Sequence, residues 1–301
     1  MFQKYKHHIL LHLVIFLWGF TGILGKLIHL DFYHIVWNRM MLASVGLMIA
    51  TFIMKRSIKI KSKKQLFQLI GIGILVALHW LTFFKAIQLS TASLGILCLS
   101  TVTLHVTWLD PIVRKKRFSK VEFLLGLLVI GGIYIVSNDF NPNDYEALAY
   151  GLSSAVFAAL FSVFNGHIVQ ETDSYTMTFY EILTGFLFIT VIFMFQGKVD
   201  ATLFEMTLSD FLWLLFLGLI CTAFAFIASI NVLKHLGTFT VSLSINLEPV
   251  YTIILAIFIL KENQELAGSF YLGAILIVLV VVANPIIKYY MKKRMEVRKI
   301  R

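Results

Sequence analysis

The stretch Phe211-Leu212-Trp213-Leu214-Leu215-Phe216-Leu217-Gly218-Leu219-Ile220-Cys221-Thr222-Ala223-Phe224-Ala225-Phe226-Ile227-Ala228-Ser229-Ile230 carries no charge from end to end. A bilayer's hydrocarbon core is about 30 Å thick, so a helix needs about 20 mostly apolar residues to cross it. About ten runs of this kind fill the 301-residue chain, near 9–28, 33–54, 66–88, 92–113, 121–137, 146–169, 176–196, 209–233, 239–260 and 268–290. With 59% hydrophobic and 14% charged residues, a soluble core would not produce so many consecutive spans. The fold expected is an all-α integral membrane protein whose connections are short, as between antiparallel neighbours.

The first run, Ile9 to Ile28, is too long for a cleaved signal core. No small-x-small site follows it, and Ile28-His29-Leu30-Asp31 leads straight into the next span, so it reads as a retained helix. Cys98 and Cys221 both lie inside apolar runs and read as small core residues. The net charge of +10 is placed by topology rather than by nucleic acid. Basic residues gather at Lys4 and Lys6, from Lys55 to Lys64, from Arg114 to Lys120, at Lys234 and from Lys288 to Arg301, while the alternate connections keep Lys198 and Lys261. Lys and Arg mark the cytoplasmic side. Both termini are therefore expected in the cytoplasm of a cell-membrane protein, with Lys61 and Arg298 inside and the acidic loop around Asp139 outside.

The chain also resembles itself. Tyr33-x5-Arg39 matches Tyr175-x5-Glu181, the segment at Phe84–Ser90 matches Ile230–Leu236, and Gly126–Ile130 matches Gly273–Ile277, at offsets of about 142–147 residues. An odd number of helices per copy turns the second copy upside down, the plan of many secondary transporters. The expected division is a first repeat at 1–138, a second at 139–290 and a basic cytoplasmic tail at 291–301.

Trp18-Gly19 with Lys26 on the same helix, then Arg39, resembles the opening of drug/metabolite transporter superfamily proteins of the EamA type. Leu247-Glu248-Pro249-Val250, then Leu260-Lys261-Glu262, then Gly273, is similar to that family's second-repeat signature. The resemblance implies ten helices in two inverted five-helix repeats, cytoplasmic termini, and export or exchange of small metabolites. It departs in the first repeat, where Val102-Thr103 stands in place of the proline usual in the fourth helix and Pro111 comes later.

An ionisable or polar side chain within a span is costly in lipid and marks a candidate. His79, His105 and Glu248 lie deepest. Glu248 precedes Pro249, which removes a backbone donor and frees a carbonyl. With Trp18 and the amides Asn165, Asn231 and Asn246 they form the candidate substrate-binding or coupling set. Each has a plainer reading as a packing or interhelical hydrogen-bonding group. Arg39 and Glu181 read as structural intramembrane charges, Arg39 paired with a carboxylate or a carbonyl. Lys26 and Lys85 sit where they can snorkel to water.

The sequence contains no HExxH, GxSxG, Walker loop or metal-spaced Cys/His cluster, so neither catalytic residues nor metal or cofactor ligands are assigned. The function expected is secondary transport of a small metabolite, such as an amino acid, by alternating access. The partners are a small-molecule substrate and the lipid bilayer, with no nucleic acid. An integral-membrane enzyme acting on a lipid head group and a passive facilitator are the alternatives.

Overall fold

The computed structural model describes residues 2–115, 118–137, 140–245, 247–264 and 266–300, and no strand occurs among them. The expected position Asp139 and the candidate Asn246 lie outside the described residues. In lipid every backbone polar group must be satisfied internally, which helices achieve. The helices are α1 Phe2–Leu27, α2 Phe32–Ile53, α3 Lys63–Leu89, α4 Ala92–Leu99, α5 Val102–Arg114 and α6 Lys120–Val136. They continue as α7 Pro142–Ile168, α8 Ser174–Phe195, α9 Leu208–Leu215, α10 Ala225–Ile245, α11 Glu248–Leu255 and α12 Gly268–Ile300. π-helical segments at Phe216–Phe224 and Ala256–Leu260 continue α9 and α11.

Seven helical stretches among the described residues are long and apolar enough to cross a membrane: Lys6–Leu27, Phe32–Ile53, Lys63–Leu89, Ala92–Val113, Pro142–Ile168, Ser174–Phe195 and Leu208–Leu236. Shorter apolar helices lie at Phe123–Val136, Glu248–Leu260 and Gly268–Val280. The chain is thus a multi-pass membrane protein. Large apolar side chains stand on its exterior, Phe195 and Phe52 being 90% and 86% exposed.

Local chemistry sets the helix ends. Ser62 caps α3, Thr91 caps α4 and Asp173 caps α8, each accepting from backbone N–H groups of the first turn. Asn141 and Asp144 form a reciprocal capping box around Pro142 at the start of α7. At one end of the bundle Glu262 accepts from Ala92 N (2.8 Å) and Ser93 N (3.1 Å), placing a carboxylate on the positive end of α4. Lys26 donates to the Ser90 carbonyl at this same end, and Lys85 lies over the Phe32 ring at 5.2 Å. At the opposite end Lys61 and Lys234 donate to the carbonyls of Glu171 and Thr172, just past α7, each at 2.6 Å. Cations there complement the negative end of the helix.

Two spans differ from the sequence expectation. The run 92–113 is not one unbroken helix: Ser100 and Thr101 interrupt it, their N–H groups bonding three residues back to Leu97 O and Cys98 O. No proline is involved; the Thr101 hydroxyl takes the Cys98 carbonyl at 2.7 Å and competes with the helix for it. The connection expected near 234–238 is helical, because α10 runs on to Ile245. Lys234-His235-Leu236 contains no breaker, and Gly237 alone is tolerated in a helix at modest cost. The chain breaks instead at Leu247, whose N–H also bonds three residues back, to Ser244 O. Leu247 lies 146 residues after Thr101.

Packing follows a pattern of pairs. α3 packs on α7 and α8; α1 packs on α10 and α11; α2 packs on α8 and on the segment Phe216–Phe224; α4 packs on α7; α6 packs on α12. Glycines allow the closest approaches. A Cβ at Gly73 would lie 2.5 Å from Glu181 O, and one at Gly273 would lie 2.5 Å from Gly132 O. The main core joins α1, α2, α3, α8 and α10, and a second core lies between α6 and α12. Cys98 and Cys221 are free and buried, as read from the sequence.

Candidate functional site

The centre of the main core is built around Arg39, which is 1% exposed. Gly218 lets the π-helical segment lie against α2: a Cβ there would sit 3.1 Å from Arg39 O and 3.0 Å from Leu42 Cβ. The wider π turn is met by Thr222, whose hydroxyl donates to Leu217 O five residues back at 2.7 Å and accepts from Arg39 Nε at 2.6 Å. The guanidinium carbon stands 3.7 Å from the Trp80 ring centroid and 5.7 Å from that of Phe84. Arg39 was expected to pair with a carboxylate or carbonyl. Its partners are instead a hydroxyl and an aromatic face, and no carboxylate among the described residues lies within ion-pair distance. A desolvated cation–π contact is worth about 2 kcal/mol and a charge-assisted hydrogen bond about 1.5–3 kcal/mol. Together they offset the roughly 2.5–3.5 kcal/mol that an arginine costs at mid-membrane on insertion scales. Even so, Arg39 Nη1 has no hydrogen-bond partner among the described residues.

An aromatic array extends from this point. Trp80 and Trp18 both meet Phe226 edge-on, at 5.5 and 5.9 Å. Phe161 lies 6.5 Å from Phe226 and 5.5 Å from the His79 ring. Trp18 is half-buried, and its Nε1 is likewise without a partner. Trp18 and His79 therefore share one array, bridged by Phe161 and Phe226.

The remaining candidates separate. His79 is locked to α7: Ser154 Oγ lies 2.8 Å from its Nδ1 and donates to its carbonyl at 3.0 Å. His105 is half-buried on α5 beside Trp108, which is 39% exposed. Glu248 is half-buried and opens α11, with its backbone against α1. Thr252, one turn on, donates to Gly19 O at 2.9 Å and so ties α11 next to Trp18. Asn231 is half-buried on α10, and its carbonyl meets His235 Nδ1 at 2.9 Å. Asn165 meets Glu181: its Nδ2 donates to Glu181 Oε2 at 3.1 Å, while Glu181 Oε1 and Asn165 Oδ1 are both buried without a partner among the described residues.

Trp80, Thr222 and Phe226 were not singled out from the sequence. Thr222 was the legible one, as a hydroxyl inside an unbroken apolar run. Among the described residues no group of three or more His, Cys, Asp or Glu could hold a metal ion. A separate surface pocket of about 330 Å3, lined by Asn38, Phe204, Met206 and Phe211, involves none of the candidates.

The comparisons agree with this architecture. A solved protein crystal structure superposes with a TM-score of 0.65 over 92% of this chain and 97% of its own, at 14% identity, which bears on the fold. An uncharacterized transporter of Archaeoglobus fulgidus is 23% identical over 271 residues, covering 86% of this chain and 91% of that protein. The profile of the EamA-like transporter family matches residues 6–138 and again residues 146–284. Those two matches span nearly the whole sequence, and the chain is a membrane transporter of the EamA-like transporter family, within the drug/metabolite transporter superfamily.

Proposed function

We propose that this protein is a secondary transporter, built of ten helices in two inverted five-helix repeats at 1–138 and 139–290, that exports or exchanges a small metabolite by alternating access. The observation that carries the reading is a pair of crossings. Gly73 sits on the backbone carbonyl of Glu181, and Gly218 sits on that of Arg39. Gly73 and Gly218 are 145 residues apart, and Arg39 and Glu181 are 142 apart. Such an exchange is what a two-fold relation between the halves produces. The reciprocal packing of α3 on α7 and α1 on α10, and the double family match, support it too. Rocking one repeat against the other would expose the centre to each side in turn. The central aromatic array with Trp18, and Glu248 on the adjoining α1–α11 contact, are the parts such motion would open. His79 touches it through Phe161, while Asn165, Asn231 and His105 lie on α7, α10 and α5. The tail at 291–301 and the lysines near Lys61 would face the cytoplasm of the cell membrane.

Purified protein in proteoliposomes, offered a metabolite panel including amino acids with and without a pH gradient, tests the reading. Gradient-dependent accumulation of one chemical class is expected. Downhill flux alone, indifferent to any gradient, would make it a passive facilitator. Single-cysteine labelling from outside intact cells should modify position 139 and spare position 61; the reverse result overturns the orientation.

A further inference from the structure

We propose that the Arg39 guanidinium is the anchor for a carboxylate on the transported molecule, so that the substrate is an organic anion with an apolar body. This deepens the transporter reading and rests on it. The charge is buried among apolar side chains, with no carboxylate of the described residues in ion-pair reach. What holds it leaves part of its hydrogen-bonding capacity unused: Trp80 covers a face, Thr222 takes Nε, and Nη1 has no partner among the described residues. A guanidinium presents its donors as a planar fork that fits a carboxylate through two parallel hydrogen bonds. A protein carboxylate in that position would have closed the fork permanently. A hydroxyl and a ring hold the charge while Nη1 keeps no partner among the described residues.

Two further observations converge on the place. Trp18 Nε1, across Phe226, is a second buried donor with no partner among the described residues. The backbone opposite is π-helical over Phe216–Phe224, a distortion common at functional sites. The donors select an anion, and the ring faces of Trp18, Trp80 and Phe226 suit an apolar body. Arg39 lies on α2 and Thr222 on the segment joining α9 to α10, so the anchor is shared between parts of the chain 183 residues apart. A ligand there would act on the contact that rocking must change.

The test uses phenylacetate and propionate, each beside its primary amide, which has nearly the same shape without the charge. Binding is read by tryptophan emission of the full-length protein in detergent, since Trp80 stacks on the guanidinium; uptake is read in proteoliposomes. For the wild type, the acids should bind about 10- to 100-fold more tightly than the amides, as a charge-assisted pair implies. Arg39→Lys should weaken the acids and narrow that preference, and Arg39→Gln should abolish it. If Arg39→Gln fails to fold, Thr222→Val, which frees the guanidinium from its tether, should still lower the preference. Equal binding of acids and amides by the wild type overturns the proposal, as does an unchanged preference in a folded Arg39 variant. Uptake of phenethylamine but of neither acid overturns the anchor and leaves the transporter standing. Arg39-dependent binding of the acids, with no flux of any panel member, upholds the anchor and overturns the transporter.

Discussion

Replacing Gly73 by alanine should push α3 off α8, and the structure sets the scale. The new methyl carbon would start 2.5 Å from Glu181 O and 2.9 Å from Thr184 Cβ. Ordinary contact begins near 3.4 Å, so the helices must part by about 0.9 Å at a place where backbone faces backbone. No flexible side-chain end can yield. Overpacking of this kind costs about 1–3 kcal/mol. Gly218→Ala meets its neighbours at 3.0–3.1 Å, so a shift of a few tenths of an ångström suffices and the loss should be smaller. Gly71 has nothing within 4 Å, and alanine there should be neutral or gain up to about 1 kcal/mol of helix propensity. Melting of the three purified variants in detergent should therefore rank Gly71→Ala highest, Gly218→Ala next and Gly73→Ala lowest. Trp80 lies two turns beyond Gly73 on α3, so Gly73→Ala should also alter tryptophan emission by disturbing the ring on Arg39. A Gly73→Ala protein as stable as Gly71→Ala would refute the close crossing.

Other substitutions probe the polar contacts. Ser154→Ala removes both hydroxyl bonds to His79 and should lower stability by about 0.6–1.5 kcal/mol in the same melting assay; no change would mean that apolar packing and the contact of His79 Nδ1 with the Ser154 carbonyl, 3.1 Å, suffice to hold α3 on α7. Glu181→Gln exchanges one carboxylate oxygen for an amide nitrogen that can donate to Asn165 Oδ1, which has no partner among the described residues, so membrane yield should match or exceed wild type. A collapse in yield would show that the carboxylate itself is needed there. Glu262→Ala leaves the N–H groups of Ala92 and Ser93 without their acceptor and should cost about 1–3 kcal/mol, with Glu262→Gln losing less. Equal stability of all three would argue that water satisfies the start of α4.

The spans were legible because an uncharged stretch of some 20 residues has few folding options in lipid. The capped ends were legible in kind, since Ser62, Thr91 and Asn141 precede helices. The break at Ser100 and Thr101 was not, because it is made by a hydroxyl bonding its own backbone, a geometry that many intact helices with threonine avoid. The continuation of α10 past Lys234 was missed because one lysine and one glycine resemble a loop. At the site, depth along a span does not tell what a side chain touches. It put Glu248 and the two histidines first; His79 is bonded to Ser154, and His105 is half-buried beside Trp108. Arg39, read as a structural charge, proved to sit at the aromatic centre. Which way a side chain points depends on helix rotation, and helices so uniformly apolar leave rotation unmarked in the sequence.

The two interrupted helices differ in what could mend them. Pro249, just past the break at Leu247, has no amide hydrogen, so the carbonyl of Ile245 four residues back can never regain its helical partner. The residue 146 positions earlier is Thr103, which keeps its hydrogen. Around Ser100 and Thr101 a modest exchange of hydrogen bonds would splice α4 and α5 into one helix, whereas a helix run through Pro249 would always lack that bond and stay kinked there. In the alternating-access cycle proposed above, one mendable joint and one stiffer joint would give strokes of unequal stiffness. The two directions of opening would then be mechanically distinct.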